Sequence, residues 1–322
     1  EGFLERVSDP FWFQCLGCVL GFDWHSSGVT TTTCGAIKEG IRGKEHELGL
    51  FVGGGKGRTS RKTPDEIREY SEKAGTDAER LVYASRMSAK VDSSALQDGF
   101  QVYHHSFLFT KGGTWAVVQQ GMNAASGWAR RYHWLGNKHQ DFVCEPHSAI
   151  CSDGNANVLN MVAREADASR KATAEMSRLK PEQILRELRL AAAEDLPLLD
   201  MPKRHAIRIE DVTPERLKNT FVKTYEQQPR NFEALLGMPG VGAKTIRALS
   251  LVGQLLYGAE PSFRDPARFS FAHGGKDGIP YPVDRKTYDT TAAIMEKAVS
   301  ESKIGESAKL EALRRMEKFL RH

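Results

Sequence analysis

Residues 232–257 read FEALLGMPGVGAKTIRALSLVGQLLY. Apolar residues recur at helical spacing on both sides of the break Gly237-Met238-Pro239-Gly240-Val241-Gly242, so the stretch predicts two helices joined by a tight turn, a helix-hairpin-helix. Gly237, Gly240 and Gly242 let the backbone bend sharply and approach another molecule without a Cβ in the way, while Pro239 stiffens the bend. The amides of Gly240, Gly242 and Ala243 are then expected to point outward from the start of the second helix. There, orphan N–H groups and the helix macrodipole both favour an anion. Lys244, Thr245 and Arg247 add candidate side-chain donors. Contacts of this kind hold backbone phosphate and read no base, so the expected partner is DNA, bound with weak sequence preference and strong salt dependence. The bland alternative is an ordinary corner between two helices.

Working outward, the region after about residue 155 carries Leu, Ala, Glu, Lys and Arg at helical spacing. Residues 181–194 predict an amphipathic helix stopped by Asp195-Leu196-Pro197, and Thr213-Pro214-Glu215 caps another that runs to about Tyr225. Residues 11–150 have a different texture, rich in Gly, Thr, Ser and aromatics, with short alternating segments that read as strands. Residues 100–110 and 114–121 predict a β-hairpin turned by Lys111-Gly112-Gly113, and Thr63-Pro64-Asp65-Glu66 opens a polar helix towards Ala74. The expected fold is α+β: a mixed α/β domain over residues 1–155 with an antiparallel hairpin, then an all-helical domain over residues 156–322 containing the helix-hairpin-helix.

The chain has 322 residues, 40% of them hydrophobic and 27% charged, which excludes a disordered or fibrous protein. Its longest apolar stretch, residues 11–22, is too short for a bilayer span of about 20 residues. No membrane association is expected. The net charge of +4 is local: residues 203–247 carry nine basic side chains against five acidic, while residues 1–150 are balanced at 17 each. Such an excess suits a polyanion, or simply a solvated helix face. Cys15, Cys18, Cys34, Cys144 and Cys151 are odd in number and irregular in spacing, which argues against a disulfide framework and for a reducing cytoplasm. Cys15 and Cys18 together with Cys144, His147 and Cys151 have ligand-like spacing for zinc; buried free thiols are the alternative. The chain opens on Glu1 and not on Met, which suggests a further piece ahead of it.

Polar residues are dense in the first half. Asp23, His25, Asp98, Gln101, His104 and His105, with Asp92, His133, Glu145 and His147, are candidates for an acid–base cluster or for a divalent metal. On an ideal strand Gln101, Tyr103 and His105 share one face and His104 takes the other, so they do not all converge. A metal-dependent nuclease would require two or more carboxylates around one ion. Gly53-Gly54-Gly55-Lys56-Gly57-Arg58-Thr59-Ser60-Arg61-Lys62 is glycine-rich and basic but lacks the Gly-Lys-Ser/Thr order of a P-loop, and reads as a loop facing DNA or solvent. Residues 128–134, WARRYHW, interleave aromatics with arginines, which suits base stacking or a core cluster.

The stretch LLGMPGVGAKT resembles the hairpin of the helix-hairpin-helix DNA glycosylases of the endonuclease III type. That resemblance implies a DNA repair glycosylase or abasic-site lyase, with Lys244 as the Schiff-base lysine and Asp284, in Pro282-Val283-Asp284, as the catalytic aspartate. Asp284 is also a good N-cap for a helix running to Val299, and Lys244 suits plain phosphate contact. The pattern departs in two further ways. Residues 258–281 form an insertion, and no cysteine follows Cys151, so no iron–sulfur cluster is expected. The alternative is a non-catalytic hairpin module serving a metal-dependent nuclease in the first domain. The blocks SDPFWFQCLGCVLGFDWHSSGVTT, LVYASRMSAKVDSSALQDGFQVYHHSF and WAVVQQGMN resemble the domain-of-unknown-function 763 family, whose members usually begin several tens of residues earlier. That resemblance brings no activity with it.

Overall fold

The computed structural model describes residues 1–22, 28–137, 140–152, 158–193, 214–269 and 285–320. Helices α1 (Gly2–Ser8), α2 (Pro10–Val19), α3 (Gly28–Gly40) and α4 (Glu45–Leu48) lead into strand β1 (Leu50–Lys56). A 3-10 turn (Gly57–Lys62) then opens α5 (Thr63–Ala74) and α6 (Ala78–Lys90), and a π-helical turn (Val91–Ala95) enters the short strand β2 (Leu96–Gln97). Strands β3 (Gln101–Thr110), β4 (Trp115–Met122), β5 (Ala129–Gly136), β6 (Ala149–Ser152) and β7 (Leu159–Asn160) follow. The rest of the described chain is largely helical: α7 (Asp167–Met176), α8 (Pro181–Ala193), α9 (Pro214–Gln227), α10 (Phe232–Gly237), α11 (Ala243–Tyr257), α12 (Arg285–Glu301) and α13 (Glu306–Leu320).

The fold is α+β, with an antiparallel sheet of order β1-β3-β4-β5-β6 and a C-terminal helical region. The expected hairpin is β3–β4, turned at Gly113 with φ +79°. Helices cover both faces of the sheet. On one face Phe107, Trp115, Val117, Tyr132 and Trp134 meet α5, α6 and the helices α7–α11 in one apolar cluster. Phe107 stacks on Trp115 at 5.6 Å between ring centroids, and Trp115 on Phe142 at 6.0 Å. Each such ring contributes several kcal/mol of burial, at about 25 cal/mol per Å². On the other face Val52, Leu108, Ala116 and Val118 meet α1–α3, and Met295, Val299, Ala312 and Met316 of α12 and α13 close that layer.

The first half is more helical than its composition predicts. Residues 10–19 form a helix because Asp9 Oδ1 accepts the amides of Phe11 at 2.8 Å and Trp12 at 2.9 Å, with Pro10 at the first helical position. Buried on nearly every side, that helix lacks the polar stripe by which an amphipathic helix is recognised. The threonine-rich α3 has weak helix propensity, but Val29, Thr30, Thr33 and Cys34 are buried, so packing overrides propensity. The expected loop at residues 53–62 is also corrected: Gly53 to Lys56 complete edge strand β1, and residues 57–62 are the 3-10 turn. Helix α5 spans the expected residues 63–74, and α8 covers 181–193 of the expected 181–194. Thr213 lies outside the described residues.

Candidate nucleic-acid interface

The stretch 232–257 forms the two helices its spacing predicts. Asn231 caps α10, its Oδ1 accepting the Ala234 amide at 2.8 Å. Met238 and Val241 are buried on either side of exposed Pro239 and Gly240, so the turn is anchored by its apolar residues and offers its small ones. Gly240 has φ +89°, a conformation for which glycine is the natural residue. Gly242 is the extended N-cap of α11, and a Cβ built there meets nothing within 4 Å. The amides of Gly240, Gly242 and Ala243 meet no acceptor among the described residues. Lys244 is exposed beside them.

The support behind the turn comes from distant sequence. Lys90, the last residue of α6, donates Nζ to the carbonyl of Val241 and, at 3.5 Å, to that of Met238. Gln97 donates to the Ala243 carbonyl at 2.9 Å and accepts Arg247 Nε at 2.9 Å. Among the described residues neither Lys90 nor Arg247 pairs with a carboxylate, and the Nη2 of Arg247 is buried without a hydrogen-bond partner. Burial lowers the pKa of Lys90 and pulls that of Arg247 down to about 10. The turn thus has backbone amides without an acceptor and two cations behind them without a carboxylate partner, among the described residues.

Thr245 and Arg247, expected among the outward donors, are corrected. Both side chains are buried, because α11 packs against α7 and the π-helical turn. Of the expected set, Gly237, Gly240 and Lys244 are exposed and Gly242 and Ala243 half-buried. Asp284 lies outside the described residues, as do Asp23 and His25. Lys90 and Gln97 were not singled out by sequence reasoning. No local motif marks them, since their role comes from hairpin residues some 150 positions away.

The first-half candidates separate into two faces. A β-bulge sets Val102 opposite Gly121 and His104 opposite Gln120, so Tyr103 departs from simple alternation and its hydroxyl accepts Gln120 Nε2. His104 is buried against Ser106 at 3.1 Å, its pKa lowered to about 3 by burial and then by His105 and Lys56. His105 bonds Ser85 at 2.8 Å and Gln119 at 2.9 Å. The Gln119 amide nitrogen already donates to Ser88 O and Asp92 Oδ2, so its oxygen accepts His105 Nδ1–H, and His105 is a neutral imidazole whose pKa burial lowers. Asp92 also accepts His147 Nε2 and, at 3.0 Å, Trp134 Nε1. Asp98 is fully buried, held by Arg130 at 3.1 Å and Tyr132 at 2.6 Å. Of the described candidates Gln101 and Glu145 are exposed, Glu145 facing Arg164 at 3.3 Å and Arg264 at 3.4 Å.

Each of these buried groups is spent on another, and among the described residues no three His, Cys, Asp or Glu side chains are grouped to hold a metal ion. Cys15 and Cys18 lie in the cluster under α2 with thiols pushed up to about 12 by burial, whereas His147 faces Tyr132 and Trp134 on the other side of the sheet. His147 is therefore apart from Cys15 and Cys18, and the proposed zinc ligands form no metal-holding group among the described residues. In WARRYHW only Trp128 is exposed; Arg130 and Arg131 are core residues, Arg130 paired with Asp98 and Asp265. Asp265 lies between two bridges to the strands, Asn160↔Ser262 at β7 and Cys151↔Phe269 at β6.

No described helix is long and apolar enough to cross a membrane. No curated protein and no solved structure matches the chain. Residues 1–283 match the family model described as "Protein of unknown function (DUF763)", and the chain belongs to that family.

Proposed function

We propose that this protein binds DNA through the α10–α11 hairpin, gripping backbone phosphate, in a role in base repair. The observation that carries the reading is the outward set of unpaired Gly240, Gly242 and Ala243 amides at the start of α11, backed by Lys90 and Arg247. A phosphate oxygen there would supply acceptors that the described residues do not and offset two cations that no described acid neutralises. Contacts of this type carry no base readout, so affinity should vary little with sequence and fall steeply with salt. Gly242→Val is the test, because its φ of −143° suits any residue and the position is open, so the fold survives while two methyl groups block the amides. Duplex affinity should drop about tenfold or more for lost phosphate contacts. Wild-type affinity in that variant sinks the reading.

A second reading adds chemistry at Lys244, which is exposed on the first turn of α11 beside the same amides. By the resemblance to glycosylase hairpins, its amine would condense with the C1′ aldehyde of an abasic site with loss of water, and borohydride would reduce the imine to a stable adduct. Lys244→Gln should abolish the adduct while duplex binding stays near wild type; no adduct with the wild-type protein removes the lyase. The metal-dependent nuclease draws no support from Asp98, His104 and His105, which are buried and bonded internally.

A further inference from the structure

At the far end of edge strand β1, Lys56, Arg58, Arg61 and Lys62 are all exposed, and none pairs with an acid among the described residues. The next carboxylates along the chain are occupied. Asp65 faces Arg68, while Glu66 holds Lys38 at 2.8 Å and the Gly54 amide at 2.6 Å. The corner is built, not loose. Ser60 Oγ donates to Gly57 O at 2.6 Å and Thr63 Oγ1 to Ser60 O at 2.7 Å. Gly54, at φ +88°, lies so close to the neighbouring strand that a Cβ would sit 2.2 Å from the His105 carbonyl oxygen.

One lysine is enough to blunt a sheet edge against aggregation. Four uncompensated cations within seven residues repel one another, and a rigid turn that holds them together suits a ligand carrying regularly spaced negative charge. Helix α6 connects this corner with the hairpin. Gly55 pairs with His105, His105 bonds Ser85 of α6, and Lys90, about 7.5 Å further along that helix, reaches Val241.

We infer that the Lys56–Lys62 corner is a second nucleic-acid surface, contacting the phosphodiester backbone of DNA. It rests on the hairpin reading only for the identity of the polyanion. Four side-chain cations and no base-reading element make it a sequence-independent contact whose strength appears in the salt dependence.

The experiment compares wild type, Arg58→Gln/Arg61→Gln and Gly242→Val for binding of a labelled duplex over a series of salt concentrations. The double variant should lower the slope of log affinity against log salt by about 2 and weaken binding about tenfold or more, with its unfolding midpoint unchanged. Unchanged slope and affinity in the double variant, with a loss in Gly242→Val, overturn the corner and keep the hairpin. Loss in the double variant alone supports the corner and overturns the hairpin, and a wild-type protein that binds no duplex overturns both. Anionic phospholipid vesicles are the control; vesicle binding that the double variant loses while duplex affinity stays unchanged assigns the corner to a membrane surface and sinks the proposal.

Discussion

Gln97 and Arg247 meet side chain to side chain at 2.9 Å, across 150 residues of sequence, and the same Gln97 amide donates to the Ala243 carbonyl at 2.9 Å. The glutamine thereby fixes both the first turn of α11 and the cation behind it. Because one amide atom accepts from a guanidinium and the other donates to a carbonyl, its orientation is unambiguous.

Replacing Gln97 by Leu keeps the volume and removes three bonds, the third to the Ser94 carbonyl, leaving the buried Arg247 guanidinium with no partner for Nε. The loss should be about 2–4 kcal/mol of unfolding free energy in urea. Duplex affinity should fall with it, since the turn loses its brace; a variant as stable as wild type would show that Gln97 is a bystander.

Asp92 accepts from His147, Gln119 and Trp134 and has no exposure. Asp92→Ala strands three buried donors at once. We expect about 3–5 kcal/mol of destabilisation, together with a change in tryptophan fluorescence as the Trp134 indole loses its acceptor. A change of under about 1 kcal/mol would show that these donors find other acceptors.

Acid should weaken the fold through its histidines. Burial lowers His104 to about 3 and also lowers His105 and His133, while in the unfolded chain each titrates near 6.5. Between those values the unfolded chain holds protons that the folded chain refuses. Stability is therefore complete above about pH 6.5 and declines as pH falls below it, for His104 down to about 3, by up to about 1.4 kcal/mol per pH unit for each histidine. Asp98, raised by burial against the pull of Arg130 and Tyr132, works in the opposite sense, so the comparison is made by mutation. His104→Gln should flatten the change in unfolding free energy between about pH 7.5 and 5.5 by about 1 kcal/mol; an identical pH profile would contradict a neutral, buried His104.

Two glycines make a paired test of backbone demand. Gly54→Ala requires a positive φ and puts its methyl group 2.2 Å from His105 O and 2.6 Å from Thr63 Oγ1, so it should cost about 3 kcal/mol or more. Gly242→Ala, in open space at φ −143°, should stay within about 1 kcal/mol of wild type by thermal unfolding. Equal costs would contradict the turn geometry at both positions.

The hairpin around Pro239, the β3–β4 turn at Gly113 and the helix opened by Pro64 were legible because glycine, proline and capping residues act over a few positions. Helix α2 was not, because a helix buried on nearly every side has no polar stripe to show its period. Among candidate residues, the positive φ of Gly240 and the place of Gly242 at the start of α11 follow from local geometry. The burial of Arg247, Asp98, His104 and His105 does not, since the spacing of a polar residue never says which neighbour will satisfy it.

By itself the sequence determined the local bends: where glycine must stand and where helices begin. Only the tertiary structure decided which cations stand behind that turn and which polar groups are consumed inside the protein. Lys90 reaches Val241, and Arg130 reaches Asp98 and Asp265, only once helix and sheet have packed. Backbone conformation is set by neighbours along the chain, whereas charge compensation and burial are set by neighbours in space.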